Sequence, residues 1–268
     1  GVTEPLSAAT ADATYDHLVA AVADDAFRPR ALYERFGIEF LATTDGALDR
    51  LEAHAAIAAS GWSGRVVPTF RPDDVVDPDR PGFQDDLGRL ADLTGEDTTT
   101  WPGYLAALRA RRQAFIAAGA TATDHGHPSA LTVDLPPRES EDLFRRVRKG
   151  EAEPGDAERF RGQMLVEMAA MSLEDGLVLQ LHAGSWRGHN PTLADCFGPD
   201  RGADIPQPMD YVGGLKALLD RFGNEPTLTL VVYTLDESTY SRELAPLAGH
   251  YPALRLGPPW WFHDSPEG

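Results

Sequence analysis

Residues 177–187, which read Leu-Val-Leu-Gln-Leu-His-Ala-Gly-Ser-Trp-Arg, carry the clearest signal of the fold class. The first six are apolar almost throughout, which is typical of a short strand buried within a parallel sheet. The strand ends at His182, and Arg187 follows shortly after it. Polar side chains directly after a buried strand are the pattern of a (β/α) barrel, whose active site is built at the carboxyl ends of its strands.

Five further segments have the same strand character and alternate with stretches of helical periodicity. They are residues 38–44, 65–70, 120–124, 227–234 and 253–257. This alternation predicts parallel strands joined by right-handed helical crossovers. A doubly wound open sheet is the alternative, but no strand-to-helix turn carries a G-x-G-x-x-G or P-loop sequence.

The predicted fold class is therefore α/β, a (β/α)8 barrel of the TIM type that is incomplete, with about six of the eight strands. We expect a single partial barrel domain over residues 1–268, with a helical lead-in over residues 1–36. Because two strands are missing and no helix follows the last strand, we expect a piece of a longer protein that lacks elements at both ends.

The chain is acidic, with 42 Asp and Glu residues against 24 Lys and Arg residues and a formal net charge of −18 at pH 7. This charge repels phosphate backbones and anionic lipids, so we expect no nucleic-acid partner and no membrane partner. No apolar run approaches the roughly 20 residues that span a bilayer, and the N-terminus lacks a signal-peptide pattern. These features predict a soluble, cytoplasmic protein.

Polar and aromatic residues follow most of the predicted strands, and a barrel would bring them to one mouth. They are Asp45, Arg71, Asp73, Asp124, His125, His182, Arg187, Trp260, Trp261, His263 and Asp264. Two arginines in this set suggest an anionic substrate, because a guanidinium binds carboxylate or phosphate bidentately and keeps its charge. The alternative is that each arginine pairs with a neighbouring aspartate. The acidic residues between positions 73 and 86 are expected to form a solvated face.

Three histidines near strand ends are candidate metal ligands. His125-Gly126-His127 could share a metal ion, since imidazoles two positions apart on an extended chain can point to one side. The same spacing arises by chance, and His127 precedes a proline, which predicts a loop position. His182 ends an apolar strand, where a histidine is either a satisfied core residue or, at a barrel mouth, a ligand.

Five segments, taken in order, resemble the uronate isomerase family of the amidohydrolase superfamily of metal-dependent barrels. They are Thr43-Thr44-Asp45 with Leu51 and His54 following, Pro68-Thr69-Phe70-Arg71-Pro72-Asp73, Asp124-His125, residues 180–187 with Asn190, and residues 257–264. The Thr-Phe-Arg-Pro-Asp and His-x-Gly-x-x-Arg elements are specific. The resemblance covers nearly all of the chain.

The resemblance implies aldose–ketose isomerisation of hexuronates in uronate catabolism, D-glucuronate to D-fructuronate and D-galacturonate to D-tagaturonate. The implied substrate-binding residues are Arg71, Arg187, Trp260, Trp261 and Asp45. Asp124 and His125 match a pair at the mouth of the family barrel and are the catalytic candidates. His182 matches a superfamily metal ligand.

Isomerisation moves a proton between C1 and C2 through an enediol, so it needs a base near the α-carbon and an electrophile at the carbonyl. A divalent metal, with Zn²⁺ as a candidate, is the implied electrophile. The family takes its main ligands from a His-x-His after the first barrel strand and from an Asp-Ser-Arg near the last, and neither segment is present here. His125-Gly126-His127 does not replace them, because Asp124-His125 matches another family segment. Little isomerisation is therefore expected from these 268 residues alone.

Two residues depart from the family pattern: Gly46, where the family tends to carry Asp, and His263, where Asn is more usual. Two alternatives stay open, a related amidohydrolase that hydrolyses an acidic lactone or amide and an inactive truncated remnant. The expected partner is a small-molecule sugar acid, and homo-oligomer formation stays open. Glucuronate and galacturonate differ at one hydroxyl, and the sequence does not distinguish them.

Overall fold

The structure, a computed structural model, describes residues 2–236, 238–258 and 260. It divides into two compact units. The first unit is formed by Gly1–Thr43 and Glu52–Val67, and the second by Thr44–Leu51 and Pro68–Gly268. The single barrel domain over residues 1–268, with its lead-in over residues 1–36, stays a prediction.

Six strands form one sheet in the described part of the chain, and two more form a short ribbon. The strands are β1 (Leu41–Gly46), β2 (Val66–Arg71), β3 (Ala122–His125), β4 (Val178–His182), β5 (Ser185–Trp186), β6 (Ile205–Pro206), β7 (Leu230–Tyr233) and β8 (Leu254–Leu256). The order in the sheet is β1, β2, β3, β4, β7, β8, and the pairs from β2 to β8 are parallel. The predicted α/β fold, an incomplete (β/α)8 barrel of the TIM type, is confirmed.

Helices connect the strands of the sheet. They are α1 (Ala11–Ala23), α2 (Pro29–Arg35), α3 (Glu52–Ala59), α4 (Asp73–Val76), α5 (Phe83–Thr94), α6 (Trp101–Ala117), α7 (Pro137–Lys149), α8 (Asp156–Asp175), α9 (Pro191–Phe197), α10 (Tyr211–Gly214), α11 (Lys216–Phe222) and α12 (Ala245–His250). A 3-10 turn covers Asp25–Phe27 and a π-helical turn covers Tyr240–Leu244. In the part of the chain that the structure describes, no helix has the length and apolar character needed to cross a membrane.

In strand β4 the alternation of buried and half-buried residues follows from the sequence. Leu179 and Leu181 are buried, and they lie beside Leu230 and Val232 of β7. Because successive side chains of a strand point to opposite faces, the half-buried residues Val178, Gln180 and His182 share the other face. That alternation brings His182 to the carboxyl end of the strand on the same face as Gln180.

Helix α8 supplies much of the core of the second unit. Its methionines, Met164, Met168 and Met171, are buried as the helical spacing predicts. The helix ends at Asp175, and the next residue, Gly176, has a φ of +79°, a left-handed conformation that glycine adopts without strain. This turn lets the chain enter β4 directly after the helix.

A buried ion pair joins two helices of the same unit. The Arg112 side chain of α6 is fully buried, and its Nε and Nη2 donate to the Asp175 carboxylate at 2.6 and 2.8 Å. Arg112 Nη2 also donates to Ser172 Oγ at 3.0 Å. Because both charges are out of water, each depends on the other for compensation.

The first unit has a small core around Tyr33. The Tyr33 and Trp62 rings pack edge to face at 4.9 Å, and the Tyr33 hydroxyl accepts from the Arg65 backbone N–H at 3.0 Å. Helix α1 buries none of its residues. The helices predicted before residue 36 are present as α1, the 3-10 turn and α2.

Two local predictions differ from the structure, and one short ribbon was not predicted. The first strand, predicted over 38–44, begins at Leu41 and continues to Gly46. Helical periodicity in the sequence predicts a helix from position 47, but the helix begins at 52. A turn separates them, in which the Asp49 side chain accepts from the Leu51 N–H at 2.6 Å and Leu51 has a φ of +58°. The antiparallel β5–β6 ribbon was not predicted, because two-residue strands carry no alternation.

Candidate active site at the carboxyl ends of the strands

Three neighbouring strands end at one cluster of charged side chains, and all the residues of this cluster belong to the second unit. Arg71 is the last residue of β2, Asp124 lies near the end of β3, and His182 is the last residue of β4. Asp124 Oδ2 lies 3.3 Å from Arg71 Nη1, and Asp124 Oδ1 shares a short hydrogen bond with His182 Nδ1. The carboxylate therefore links the guanidinium to the imidazole.

The environment of Asp124 stabilises its ionised form. Asp124 is buried, and burial alone would raise its pKa. The hydrogen bond from His182, followed by the charges of His182 and Arg71, outweighs this effect and lowers the pKa below its usual value. Asp124 is thus an anion at neutral pH.

A second carboxylate fixes Arg71. Asp73, the first residue of α4, accepts from Arg71 Nε through Oδ2 at 2.6 Å and from the Gly126 N–H through Oδ1 at 3.2 Å. Burial would lower the pKa of Arg71, but the charges of Asp73 and Asp124 raise it. The Arg71 side chain is 27% exposed, so a ligand can still reach it.

Gly126 allows this arrangement of Arg71. A Cβ atom at position 126 would lie 1.8 Å from Arg71 Nη2 and 2.9 Å from Asp73 Oδ2. Real Cβ atoms essentially never come within 3.0 Å of another atom. The guanidinium therefore occupies the space that any larger side chain would need.

Two aromatic rings orient His182. The Tyr233 ring stacks on the imidazole at 4.0 Å with an interplanar angle of 14°, and Trp260 packs edge-on at 4.6 Å. The Tyr233 hydroxyl donates to Gln180 Oε1 at 2.8 Å, and burial raises its pKa. Gln180 and Tyr233 were not among the predicted site residues, although Gln180 is the one polar residue inside the apolar run 177–181.

Arg187 lies in an acidic loop after β5. Its Nη1 donates to Asp200 Oδ1 at 2.7 Å and to Asp204 Oδ2 at 3.1 Å, and Asp204 also accepts from the Gly188 N–H. The charge of Asp200 also raises the pKa of Arg71, so this ion pair and Arg71 face the same region. Pairing with acidic neighbours, the alternative considered for each arginine, therefore occurs at both of them.

The remaining predicted residues have different positions. Asp45 is half-buried near the end of β1, and Trp260 is half-buried against His182. Trp261, His263 and Asp264 lie outside the described residues. The roles assigned to these side chains stay predictions.

The predicted solvated acidic face is wrong for part of its length. Asp73 is buried against Arg71, and Asp77 and Asp79 both accept from Arg161 Nη1, at 2.6 and 2.7 Å. Arg71, two residues away, pairs with Asp73, whereas Arg161, which is distant in the sequence, pairs with Asp77 and Asp79. The acidic composition of the segment alone could not predict that pairing.

A second group of metal-ligand type lies behind Arg71. Asp73, His125 and His127 are all buried, and one ligand atom from each lies within 4.8 Å of the others. Burial lowers the pKa of His125 well below its usual value, with the His127 charge as a further cause. Burial lowers the pKa of His127 to about 4, against the opposing charge of Asp73. Both imidazoles are therefore neutral at pH 7.

The metal that the family resemblance implies has one predicted ligand in this chain. His182 already uses Nδ1 for its hydrogen bond with Asp124, which leaves Nε2 for an ion. One imidazole does not hold a divalent metal by itself. Among the described residues, the predicted ligand set is therefore too small to form the family site.

A sequence profile of the glucuronate isomerase family matches residues 1–268. Uronate isomerase from Xanthomonas campestris pv. campestris (strain 8004) is 62% identical over 263 residues, which are 98% of this chain and 56% of that protein. Uronate isomerase from Rhizorhabdus wittichii is 60% identical over 268 residues, which are 100% of this chain and 58% of that protein.

Solved structures agree with these matches. Glucuronate isomerase from Caulobacter crescentus superposes with a TM-score of 0.95 at 56% identity, over 100% of this chain and 56% of that one. Uronate isomerase from Thermotoga maritima gives a TM-score of 0.91 at 26% identity, over 99% and 58% of the two chains. The chain spans a little over half the length of these relatives.

Proposed function

The chain belongs to the glucuronate isomerase family, and we propose that it supplies the sugar-acid site of an enzyme that interconverts aldose and ketose hexuronates. The reactions are D-glucuronate to D-fructuronate and D-galacturonate to D-tagaturonate. The observation that carries the proposal is the strand-end cluster in which Asp124 contacts both Arg71 and His182. It combines a cation for the substrate carboxylate with a carboxylate–imidazole pair for proton transfer.

Arg71 is the proposed anchor for the sugar acid. A guanidinium has five N–H donors, and the contacts with Asp73 and Asp124 use two of them. The remaining donors can bind substrate oxygens, while the two aspartates prevent the guanidinium from rotating. Arg187 is the proposed second contact for the acidic substrate. It donates a hydrogen bond to Asp200, whose negative charge also raises the pKa of Arg71.

Asp124 and His182 are the proposed proton-transfer pair. With Nδ1 bonded to Asp124, His182 can accept or release a proton at Nε2. The ionised Asp124 would stabilise the charged imidazolium, as a buried carboxylate does for a catalytic histidine. Stacking on Tyr233 keeps the ring in the plane that this hydrogen bond requires.

The catalytic role of His125 and the metal role of His182 stay predictions. For His182 the metal role is an alternative to proton transfer, because both would use Nε2. His125 is 1% exposed, which favours contact with a small ion over contact with a sugar. A divalent metal, with Zn²⁺ as a candidate, would polarise the substrate carbonyl when bound. Its main family ligands lie in segments that this sequence lacks. A cytoplasmic location is likewise an expectation from the sequence, and homo-oligomer formation stays open.

The hydrolase alternative has no support from the relatives, which are named as isomerases. The inactive-remnant alternative concerns these 268 residues alone. An enzyme that contains the complete family sequence is therefore the appropriate subject of the activity test.

The test is steady-state isomerisation of D-glucuronate by a full-length family enzyme that contains this chain, with Arg71→Lys as the variant. Lysine keeps the charge but lacks the several N–H groups with which a guanidinium contacts Asp73, Asp124 and the substrate together, so one charge-assisted hydrogen bond is lost. Such a bond contributes roughly 1.5–3 kcal/mol, so we expect kcat/KM to fall by about one to two powers of ten. Arg138→Lys, at an exposed position on α7, is the matched control and should leave kcat/KM unchanged. An unchanged kcat/KM in Arg71→Lys would refute the anchoring role.

A further inference from the structure

Asp73, His125 and His127 form a compact group beside Arg71, and the sugar-acid proposal gives this group no role as a metal site. His125 and His127 flank Gly126 at the end of β3, and Asp73 begins α4 after β2. All three are buried, and one nitrogen or oxygen atom from each lies within 4.8 Å of the other two. Two imidazoles and one carboxylate are a donor set that suits Zn²⁺ and similar divalent ions.

His127 provides a second, independent observation. Its Nδ1 and Nε2 atoms are both buried, and neither has a hydrogen-bond partner among the residues that the structure describes. A buried polar atom without a partner costs stability, so such atoms in native proteins usually mark an ion, a water or a functional group. One nitrogen of His127 belongs to the compact group.

We propose that Asp73, His125 and His127 bind a divalent transition-metal ion, with Zn²⁺ as the best match, at a site distinct from the one formed around His182. Arg71 separates the two sites, because it contacts Asp73 through Nε and Asp124 through Nη1. Three protein ligands leave a fourth tetrahedral position for water or another small ligand. The inference goes beyond the proposed function, and its failure would leave the sugar-acid site unaffected.

The surroundings of the three ligands support metal binding. Neutral imidazole is the form that binds a metal, and burial keeps both histidines neutral at pH 7. A hydrogen bond of 3.1 Å between His125 Nε2 and Thr123 Oγ1 orients the first ring. The Gly126 N–H and Arg71 Nε hold the Asp73 carboxylate. Such outer contacts are typical of metal ligands in proteins.

The charge balance near the site also permits a cation. Arg71 carries one positive charge, while Asp73 and Asp124 carry two negative charges. Beyond His127, Arg161 is paired with Asp77 and Asp79. Arg112, whose charge also acts on His125, is paired with Asp175. The acidic groups thus outnumber the cationic groups, which offsets the repulsion that the three arginines would exert on a metal.

The experiment is a Co²⁺ and Zn²⁺ titration of the 268-residue chain after removal of metals with a chelator. Co²⁺ bound to three protein ligands gives visible d–d absorption, and elemental analysis gives the number of ions per chain. We expect one ion per chain, a tetrahedral Co²⁺ spectrum that Zn²⁺ abolishes, and a Zn²⁺-dependent rise in Tm.

The variant is His127→Ala, and the matched control is His250→Ala, which removes an exposed histidine at the end of α12. We expect His127→Ala to weaken Co²⁺ binding by about tenfold or more and to lose the tetrahedral spectrum, while His250→Ala behaves as the parent chain. Far-UV circular dichroism verifies that His127→Ala is folded. If His127→Ala is not folded, the Zn²⁺-dependent rise in the Tm of the parent chain still tests whether the chain binds the metal. Failure of the parent chain to bind metal, or an unchanged Co²⁺ spectrum in folded His127→Ala, would overturn the proposal.

Discussion

The substitution Gly126→Ala is expected to disable the sugar-acid site without unfolding the protein. The new Cβ would lie 1.8 Å from Arg71 Nη2, whereas 3.0 Å is the closest approach that real Cβ atoms tolerate, so the guanidinium must move by about 1.2 Å or more. Such a shift would break the 2.6 Å contact with Asp73 or the 3.3 Å contact with Asp124. The clash is with the end of a flexible side chain, so the backbone need not move.

The expected loss of kcat/KM follows from the hydrogen bond between Arg71 and the substrate that the displaced guanidinium can no longer make. A charge-assisted hydrogen bond contributes roughly 1.5–3 kcal/mol, which corresponds to about a 10- to 100-fold loss of kcat/KM for D-glucuronate. The assay is steady-state isomerisation by the full-length family enzyme, combined with a thermal unfolding curve for each variant.

Gly88→Ala is the matched control for Gly126→Ala. Position 88 lies within α5, and an added Cβ there would meet nothing within 4 Å. Alanine in a helix interior is about 0.5–1 kcal/mol more stable than glycine, so Tm should rise slightly while kcat/KM stays constant. A Gly126→Ala enzyme with the kcat/KM of the parent would refute the argument that Arg71 must keep its position.

Three further results are expected. Asp175→Ala should lower the free energy of unfolding by about 3–5 kcal/mol, measured by urea denaturation, because it leaves the buried Arg112 charge without compensation; a loss below about 1 kcal/mol would contradict this. The hydrogen bond from Arg146 lowers the pKa of Asp156 in the folded protein. The ionised Asp156 therefore contributes its full stabilisation of the fold above the pKa of the unfolded state, about 3.9, and loses it as the pH falls through the lower pKa of the folded state. Asp156→Asn should therefore weaken the dependence of Tm on pH in this acid range, and an unchanged acid limb would contradict it. The 268-residue chain alone should convert little D-glucuronate even with added divalent metal, and turnover comparable to that of an intact enzyme would contradict this.

The parallel sheet could be predicted because its strands carry their own signal. Val178–His182 is an apolar run that ends in polar residues, and Leu230–Tyr233 has the same character. Turns between elements were harder to predict. The helix after the first strand begins later than its periodicity indicates, because Leu51 adopts a left-handed conformation that is rare for a residue other than glycine.

The site was predictable only as a set of strand ends. Arg71, Asp124 and His182 lie together because adjacent parallel strands end at the same edge, which is a property of the topology. The stacking of Tyr233 on His182 and the burial of Asp73 depend on which side chains meet across strands and helices. Local sequence patterns carry no information about such contacts.

The most direct test of the isomerase assignment is the product formed from D-glucuronate by a full-length family enzyme that contains this chain. In ¹³C NMR with substrate labelled at C1, an aldose carbon becomes a hydroxymethyl carbon when the ketose forms. We expect the C1 signal to move from the hemiacetal region to the hydroxymethyl region, with D-fructuronate as the product. A C1 signal that stays in the hemiacetal region, with an enzyme that instead hydrolyses a lactone or amide of the sugar acid, would contradict it.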